Sequence, residues 1–565
     1  MKGLTMNCMR SLVLLLFGLS ASLGAVTVKV DAGHVLHQVG PEAFALNLTS
    51  DHLNNFSEYS RKLWRQLGVR ILRWPGGSDS DTFDFSAAPD GGHASVAKFA
   101  ELAESIGAQS YVTLNFGSGS PAMAAAFVAY LNGRPEDATK LGKGKRPKPG
   151  AKDWDDFDWK TAGFWAALRG QGPLAADDGY NFLRVGHPRP WGVRYFEVGN
   201  ECYGSWERDL RPQKQKASPV LYAQFTGDAM ALIKKVDLMA QVGVIVMVDE
   251  DRSWRNADSA PYAPVVNPAT GQSHHGWTAI LLSHLARASV IPDFLVDHYY
   301  PVSPGNENDA QLLSIVSPPS TASDQFGPLS WEERALRYRS YLNQYFGQAK
   351  AARIAIRNTE YNSAASNPGK QSVSIVGGLF YADSFGAALR TEIGGFTWWL
   401  ARSSANKGNM SEKLYGWRIY GDYGLMGEDG YIDDGSPFKP GRTSTTPYPG
   451  FFAAQLAGLY AHEGDSIVQA SSDEPSLAAY ACLQKRGNLA LLLVNKSPDK
   501  DQALSFDISG YNAAPAGALY QYGKAQDTAQ SHGAAVSISV SAANLASVTL
   551  PAYSMSVLLF NRKKP

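Results

Sequence analysis

The sequence predicts an α/β fold, a (β/α)8 TIM barrel, with a C-terminal β-sandwich domain. Two observations lead to this prediction. Eight short apolar runs follow one another at fairly even intervals, and helix-permissive sequence separates each run from the next. After about Thr443 the pattern changes to short β-rich runs alone. Regular alternation of strands and helices is typical of a parallel sheet, and eight such units close into a barrel.

The predicted barrel strands are apolar runs that end in polar or glycine-rich sequence. They are Ala43–Leu48, Val69–Trp74, Gln109–Asn115, Val193–Val198, Ala240–Met247, Phe294–Tyr300, Ile354–Thr359 and Gly395–Leu400. The segments between them are rich in good helix formers. They predict an outer ring of helices that includes Ser95–Ile106, Pro121–Leu131, Ser218–Val236 and Trp331–Phe346.

The C-terminal runs predict a β-sandwich, because several short strands without helices between them are typical of that architecture. These runs are Ser476–Cys482, Asn488–Asn495, Ala535–Val540 and Ser554–Phe560. An isolated strand at Val26–Val30 precedes the barrel, and we expect it to join the sandwich. The predicted division is therefore residues 26–38 for this N-terminal strand, 39–442 for the catalytic barrel and 443–565 for the sandwich.

A long connection at residues 133–189 interrupts the barrel pattern. Its charge switches from the basic run Lys140–Gly150 to the acidic run Asp153–Trp159. Two interpretations stay open, a solvated surface loop and a wall of the binding cleft, since long ordered loops often carry function.

The N-terminus predicts a secretory signal peptide over residues 1–25. Lys2 and Arg10 precede a short apolar run, and small residues follow it up to Ala25. We therefore expect a secreted or periplasmic protein that has no membrane contact after cleavage. Equal numbers of basic and acidic residues, 52 of each, argue against a nucleic-acid partner. The three cysteines indicate no disulfide framework.

Two glutamates occupy the ends of predicted barrel strands: Glu201 after the fourth strand and Glu360 after the seventh. The carboxyl ends of the strands carry the chemistry in such barrels. Hydrolysis of a glycosidic bond with retention of configuration needs one carboxylic acid and one carboxylate about 5–5.5 Å apart. The sequence therefore favours a retaining glycoside hydrolase with a carbohydrate substrate, and such a reaction needs no metal or organic cofactor.

Several motifs at strand ends carry a family resemblance: Arg73–Gly77, Asn115–Pro121, Glu197–Glu201 with Tyr203–Glu207, Asp297–Tyr300 and Asn358–Asn362. Together they resemble the clan A glycoside hydrolases, most closely glycoside hydrolase family 51. The members of that family are mostly α-L-arabinofuranosidases, with some endoglucanases. The likeness spans nearly the whole mature chain, and it implies the same barrel with a C-terminal sandwich.

The resemblance implies a role for each motif residue. Glu201 is the expected acid/base, with a pKa raised by burial, and Glu360 is the expected nucleophile, kept ionised by a cation. The expected substrate-binding residues are Arg73 as that cation, Asn200 for the sugar 2-hydroxyl, Tyr300 as a donor to Glu360, His298 and Asn115 in the site, and Trp398 or Trp399 as a stacking surface. Because neighbouring strand residues face opposite sides, only one of the two tryptophans can face the site.

The sequence departs from family 51 where arabinofuranosidases contact the furanose ring. That family places a Glu at the first strand and an Asn after Arg-x-Pro-Gly-Gly, whereas this chain has Asn47 and Ser78-Asp79. Asn47 or Asp79 are candidates to substitute. The most favoured activity is α-L-arabinofuranosidase-like, and the alternatives are an endo-β-1,4-glucanase or xylanase of the same clan and a non-catalytic carbohydrate-binding protein.

Overall fold

The computed structural model describes residues 25–146, 155–211, 216–253, 263–316, 330–432 and 447–563. Residues 1–24 of the predicted signal peptide lie outside this range, as do residues 147–154 of the long connection. In the ranges described, no helix combines the length and apolar character needed to cross a membrane.

The secondary structure alternates strands and helices up to about residue 400 and then consists mainly of strands. The strands are β1 (Val26–Gln38), β2 (Ala45–Asn47), β3 (Ile71–Trp74), β4 (Gln109–Leu114), β5 (Lys143–Arg146), β6 (Asp155–Asp158), β7 (Tyr195–Val198), β8 (Gln241–Ile245), β9 (Val265–Val266), β10 (Ser273–His274), β11 (Phe294–Tyr299), β12 (Ala355–Tyr361), β13 (Ile393–Gly394), β14 (Thr397–Trp398), β15 (Arg402–Ala405), β16 (Met426–Ile432), β17 (Ser466–Ser472), β18 (Leu477–Leu483), β19 (Leu489–Asn495), β20 (Gln502–Ser509), β21 (Ala513–Gly523), β22 (Ser539–Asn544), β23 (Val548–Leu550) and β24 (Ser554–Arg562). The α-helices are α1 (Glu58–Gln66), α2 (Val96–Ile106), α3 (Pro121–Asn132), α4 (Ala162–Gly170), α5 (Pro219–Val236), α6 (Trp277–Arg287), α7 (Asp309–Ile315), α8 (Trp331–Phe346), α9 (Gln348–Ala351), α10 (Ile375–Leu389), α11 (Pro449–Tyr460) and α12 (Lys524–Ser531).

Eight parallel strands close into a barrel in the order β2, β3, β4, β7, β8, β11, β12, β14. The last strand pairs back onto the first, with Thr397 opposite Ala45 and Trp398 opposite Leu46. Their side chains are almost all buried, as expected for parallel strands that face the barrel interior on one side and helices on the other. The predicted fold class, a (β/α)8 barrel with a β-rich C-terminal domain, is confirmed.

Serine caps set where the outer helices begin. The hydroxyl oxygens of Ser95, Ser120, Ser218 and Ser330 each accept a hydrogen bond from a backbone N–H in the first turn of their helix. Such a cap satisfies a backbone donor that the helix itself leaves unpaired. The four helices predicted from the sequence therefore form within one residue of their expected bounds.

The C-terminal strands and β1 form one nine-stranded sheet in the order β22, β21, β24, β19, β18, β17, β1, β20, β23. In this order four strands separate β24 from β20. The rings of Phe506 and Phe560 on those two strands nevertheless lie 6.3 Å apart, so the sheet folds over on itself around its own apolar core. One predicted strand is displaced, because the structure begins it at Ser539 rather than at Ala535.

The N-terminal strand β1 lies inside this sheet, where it pairs antiparallel with β17 and parallel with β20. Helices α10 and α11 lie between the barrel and the sheet and contact β18, β19 and β24. The Tyr480 hydroxyl donates to Asp383 Oδ1 of α10 at 2.6 Å, and Lys496 Nζ lies 3.1 Å from Oδ2 of the same carboxylate. One buried carboxylate thus joins the barrel to the sheet.

We expect Asp383→Ala to lower the free energy of unfolding by about 3–5 kcal/mol, because it leaves the buried Lys496 ammonium and the Tyr480 hydroxyl without their partner. The measurement is a urea denaturation curve followed by tryptophan fluorescence. Lys145→Ala, which breaks the exposed ion pair with Asp156, is the control and should cost at most about 1 kcal/mol. Equal effects of the two substitutions would contradict the assignment of Asp383 as the joining group.

Candidate active site

A cavity of about 640 Å³ opens at the carboxyl ends of the barrel strands. Residues at or just after the ends of six different strands line it, among them Gly77, Asn200, Glu201, His298, Tyr300, Glu360 and Trp399. Parallel strands bring their carboxyl ends to one edge of a barrel, so residues distant in sequence meet there. None of the described residues of the 133–189 connection lines this cavity.

Arg73 is the centre of the hydrogen-bond network below the cavity. Its guanidinium is fully buried and donates from Nη1 to Asn47 Oδ1 at 2.9 Å and to Glu360 Oε2 at 2.9 Å. Nη2 donates to Asn200 Oδ1 at 2.8 Å, and Nε donates to Glu197. A buried charge needs such complete pairing, and the planar guanidinium provides donors in fixed directions.

Glu360 is held by donors on both of its oxygens. The Tyr300 hydroxyl donates to Oε1 at 2.5 Å, and Arg73 binds Oε2. His298 Nδ1 lies 3.7 Å from Oε2. These contacts orient the carboxylate towards the cavity in a single position.

Glu201 lies at the turn after β7, with a backbone φ of 38°. The preceding turn passes through Gly199 at φ 66°, where a Cβ atom would lie 2.3 Å from Cys202 Sγ, so only glycine fits. The Tyr203 hydroxyl and His298 Nδ1 each lie 3.1 Å from Glu201 Oε1, and the Trp206 indole N–H donates to Oε2 at 2.8 Å.

The two glutamates lie close enough to act on one bond. One oxygen of Glu201, one oxygen of Glu360 and one ring nitrogen of His298 all lie within 4.8 Å of one another. A retaining glycosidase needs carboxyl groups about 5–5.5 Å apart, whereas an inverting enzyme leaves about 6.5–9.5 Å for a water molecule. The separation thus fits direct attack by one carboxylate.

The pKa values of the two glutamates are shifted in opposite directions in the free protein. Burial raises the pKa of Glu360 above its ordinary value, although His298 and Arg73 oppose the shift. Burial acts on Glu201 as well, but the hydrogen bonds from His298, Trp206 and Tyr203 outweigh it, so the pKa of Glu201 is lowered. The expectation of a raised pKa for Glu201 is therefore wrong for the free site, because three donors surround that carboxylate.

His298 is hydrogen-bonded to Glu201, and its surroundings favour its protonated form. Burial lowers its pKa, but the charges of Glu360 and Glu201 and the hydrogen bond to Glu201 raise it above the ordinary value of histidine. Its second ring nitrogen, Nε2, lies 3.3 Å from Thr359 Oγ1. The imidazolium can therefore pass its Nδ1 proton to Glu201 along an existing hydrogen bond.

Glu201, His298 and Glu360 are also the residues whose ligand atoms could hold a metal ion. Protein donors already occupy the carboxylate oxygens that a metal would need: Arg73 binds Glu360 Oε2, and the Trp206 indole N–H binds Glu201 Oε2. That no metal is needed stays a prediction.

Two predicted site residues lie elsewhere. Asn115 does not line the cavity: its Oδ1 accepts from the backbone of Ser118 and Gly119, so it stabilises the loop after β4. Trp398 is buried against the rings of Tyr361 and Tyr381. Of the two predicted tryptophans, Trp399 is the one that lines the cavity.

Asn47 is buried with its side-chain groups already bonded, and Asp79 does not line the cavity, so the structure places neither in the position of the missing residues. The Asn47 amide donates to two backbone carbonyl oxygens, of Thr359 and Thr397, and its Oδ1 accepts from Arg73. Asp79 forms an ion pair with Arg208 at 2.5 Å. At these two positions the chain therefore differs from the pattern of family 51.

The sequence reasoning missed several residues of the site. Glu197 binds Arg73 and accepts from Thr113 at 2.7 Å. Tyr203 and Trp206 hold Glu201, while Glu207 and Tyr423 line the cavity. Successive side chains of a strand point to opposite faces, so the position of Glu197 in its strand could have shown that it faces the barrel interior. The residues of the irregular loops have no such periodicity, and the sequence does not show where they point.

Comparisons with known proteins support the fold. No protein-family model matches the sequence, and no match was found among curated proteins. The structure is similar to an α-L-arabinofuranosidase from Thermotoga maritima, with a TM-score of 0.60, 14% identity and coverage of 95% of this chain and 99% of that chain. It is similar to a bifunctional glucanase-xylanase from a metagenome library, with a TM-score of 0.60, 16% identity and coverage of 95% and 99%.

A third similar structure is a family 44 xyloglucanase from Paenibacillus polymyxa, with a TM-score of 0.56, 14% identity and coverage of 95% of this chain and 99% of that chain. Several neighbours are family 51 arabinofuranosidases, so the resemblance predicted from the sequence is confirmed in the fold. At these identities the likeness shows the fold alone.

We expect His298 to titrate above the ordinary pKa of histidine and His284 to titrate below it, because burial and Arg287 lower the pKa of His284. Glu201→Gln should lower the pKa of His298, since it removes a negative charge from the imidazolium. NMR titration of the protein with isotope-labelled histidine measures both groups, and His284 is the internal control. If the pKa of His298 is the same in Glu201→Gln and in the wild type, the charge of Glu201 does not stabilise a proton on His298.

Proposed function

We propose that the protein is a secreted retaining glycoside hydrolase that acts on plant cell-wall polysaccharide or oligosaccharides, with an α-L-arabinofuranosidase-like activity. The observation that carries this proposal is the spacing of Glu201 and Glu360, whose oxygens approach within 4.8 Å in one cavity. The predicted signal peptide supports secretion.

In the first step Glu360 attacks the anomeric carbon and Glu201 protonates the glycosidic oxygen. The glycosidic bond breaks through an oxocarbenium-like transition state, and a glycosyl ester forms on Glu360. Tyr300 and Arg73 hold the attacking carboxylate in place. The proton that Glu201 donates comes from His298 across their 3.1 Å hydrogen bond.

In the second step water attacks the glycosyl ester. Glu201, now ionised, takes a proton from the water and returns it to His298, and the sugar leaves with Glu360 restored as a carboxylate. The hydrogen bonds from Tyr203 and Trp206 stabilise the ionised form of Glu201 that this step needs. The pKa of Glu201 in the free site therefore suits its role as a base, and His298 supplies the proton for its role as an acid.

The proposed sugar specificity rests on the aromatic side chain in the cavity and on the proteins of similar structure. Trp399 lies against Gly77, where a Cβ atom would come within 2.6 Å of its ring, and it offers a flat surface to a sugar. Several proteins of similar structure are α-L-arabinofuranosidases, which favours that activity. The glucanase-xylanase and the xyloglucanase, together with the occupied amide of Asn47, favour the alternative of an endo-β-1,4-glucanase or xylanase.

Hydrolysis of aryl arabinofuranoside, xyloside, glucoside and cellobioside substrates tests the proposal. We expect Glu360→Ala to lose activity by a factor on the order of 10⁶, because it removes the nucleophile. Glu201→Ala should lose about 10²–10⁴-fold, and less with a good leaving group that needs little protonation. The NMR configuration of the first-formed product should show retention.

Glu101→Ala, a change on the exposed face of α2, is the matched control and should keep wild-type activity. Cleavage of polysaccharide but of no aryl glycoside would favour the endo-acting alternative. Binding of glycan without any cleavage would favour the non-catalytic carbohydrate-binding protein and overturn the proposal.

Two tyrosine substitutions should move opposite limbs of the pH profile of kcat/KM. Tyr300→Phe removes a donor to Glu360 and raises its pKa further, so the acidic limb moves to higher pH. Tyr203→Phe removes a donor to ionised Glu201, so the proton shared by His298 and Glu201 is held to higher pH and the alkaline limb moves to higher pH. Each variant controls for the other, and movement of the same limb in both would contradict the assigned roles.

A further inference from the structure

Behind Asn200 lies a second pair of carboxyl groups, Asp81 and Glu207, which the mechanism above does not use. Asp81 belongs to a short 3-10 helix, Ser78–Thr82, after β3, and Glu207 belongs to the loop after β7. Asp81 is 1% exposed, and Glu207 lines the cavity. Both carboxyl groups bind Asn200, Asp81 at its backbone N–H and Glu207 at its side-chain nitrogen, and the charge of Asp81 acts on Glu207. Two buried carboxyl groups this close together are unfavourable when both are ionised, so one of them tends to keep a proton.

The contacts of Glu207 divide between its two oxygens. Oε1 accepts from Asn200 Nδ2 at 3.0 Å and from Ser78 Oγ at 3.1 Å. Oε2 is buried and has no hydrogen-bond donor among the residues that the structure describes. An ionised carboxylate would need donors at both oxygens in such a place, so the contacts fit a neutral acid whose proton faces Asp81.

Asp81 completes the enclosure of Asn200. Its Oδ1 accepts from the backbone N–H of Asn200 at 3.2 Å and lies 3.8 Å from Cys202 Sγ. The backbone of Asn200 is thus held by Asp81 and its side-chain nitrogen by Glu207, while its Oδ1 accepts from Arg73. Asn200 Nδ2 has two hydrogens, and Glu207 takes one of them, which leaves the other for a substrate hydroxyl.

Burial is the main factor that opposes ionisation of the pair, and the charges around it act in both directions. Asp209 and Glu201 are the further acids that face it, and Arg211, already paired with Asp209, is the facing cation. Cys202 is the remaining titratable neighbour, and burial raises the pKa of its thiol. Burial, together with the charge of Asp209, raises the pKa of Asp81 to about 7, although Glu207 itself acts to lower it. Burial and the charges of Asp81 and Glu201 raise the pKa of Glu207 to about 10.

We propose that Asp81 and Glu207 share a proton, and that neutral Glu207 is a positioning residue that holds the amide of Asn200 in register with Arg73 and the reacting sugar. The pair connects the loop after β3 with the loop that carries the acid/base Glu201. For its kinetic readout this inference rests on the proposed function.

Three substitutions at Glu207 separate a neutral positioning role from a charged one. Glu207→Gln keeps the acceptor for Asn200 and donates an amide N–H to Asp81, so we expect kcat/KM within about fivefold of wild type. Glu207→Asp keeps the acid but is too short to reach Asn200, and Glu207→Ala removes the contact. Both should lose about 10²-fold, mainly in kcat, because the sugar is misplaced in the transition state.

A second measurement does not depend on catalysis. When the folded state raises the pKa of a carboxyl group, the protein becomes less stable as the pH rises from the pKa of that group in the unfolded state towards its pKa in the folded state. The melting temperature of Glu207→Gln should therefore fall less than that of the wild type between about pH 6 and about pH 9. Asp527→Asn, at a buried carboxyl of α12 whose pKa is also raised, is the control that should leave kcat/KM unchanged.

The outcomes decide the proposal separately from the hydrolase assignment. An active Glu207→Gln with a flatter melting profile supports it. A Glu207→Gln variant as inactive as Glu207→Ala, or a better activity in Glu207→Asp than in Glu207→Gln, overturns it in favour of a charged Glu207. If the wild type cleaves no glycoside, the melting profiles alone decide, and parallel profiles of the wild type and Glu207→Gln overturn the shared proton.

Discussion

The buried guanidinium of Arg73 is the interaction on which the site depends. Its donors reach Asn47 at the end of the first barrel strand, Glu197 and Asn200 around the end of the fourth, and Glu360 on the seventh. A charge in this position is stable only when all these acceptors are present. The contacts of Arg73 therefore fix the positions of three strand ends in the barrel and, with them, the positions of the side chains in the site. This explains why Asn47 supports Arg73 and is not free to bind a sugar.

The barrel could be predicted from the sequence because the signals are local. Parallel strands buried on both faces appear as apolar runs, and serine caps such as Ser95 and Ser330 mark where helices begin. Glu201 and Glu360 were found because both follow such runs. The boundary of the strand at Ser539 was misplaced, since the apolar residues before it, at Val536 and Ile538, pack against the core without belonging to a strand.

The rest of the site depends on contacts that periodicity does not encode. The Asn115 motif suggested a ligand for the sugar, yet its side chain satisfies the backbone of its own loop. Tyr203, Trp206 and Glu207 reach the cavity from an irregular turn, where side-chain direction follows from the fold. The direction of the pKa shifts of Glu201 and Glu360 also required the structure, because it depends on how many donors surround each carboxylate.

The charges of the site are suited to both steps of the proposed mechanism. Arg73 and His298 supply two positive charges against the carboxylates of Glu197, Glu201 and Glu360, which leaves one net negative charge. Moving the proton from His298 to Glu201 changes neither the number of protons nor this net charge. The free site and its acid form therefore carry the same net charge, and in the proposed mechanism the positive charge that develops at the anomeric carbon meets an environment of the opposite sign in either form. Storing the proton on His298 lets Glu201 keep the low pKa that the second step needs and still act as the acid in the first.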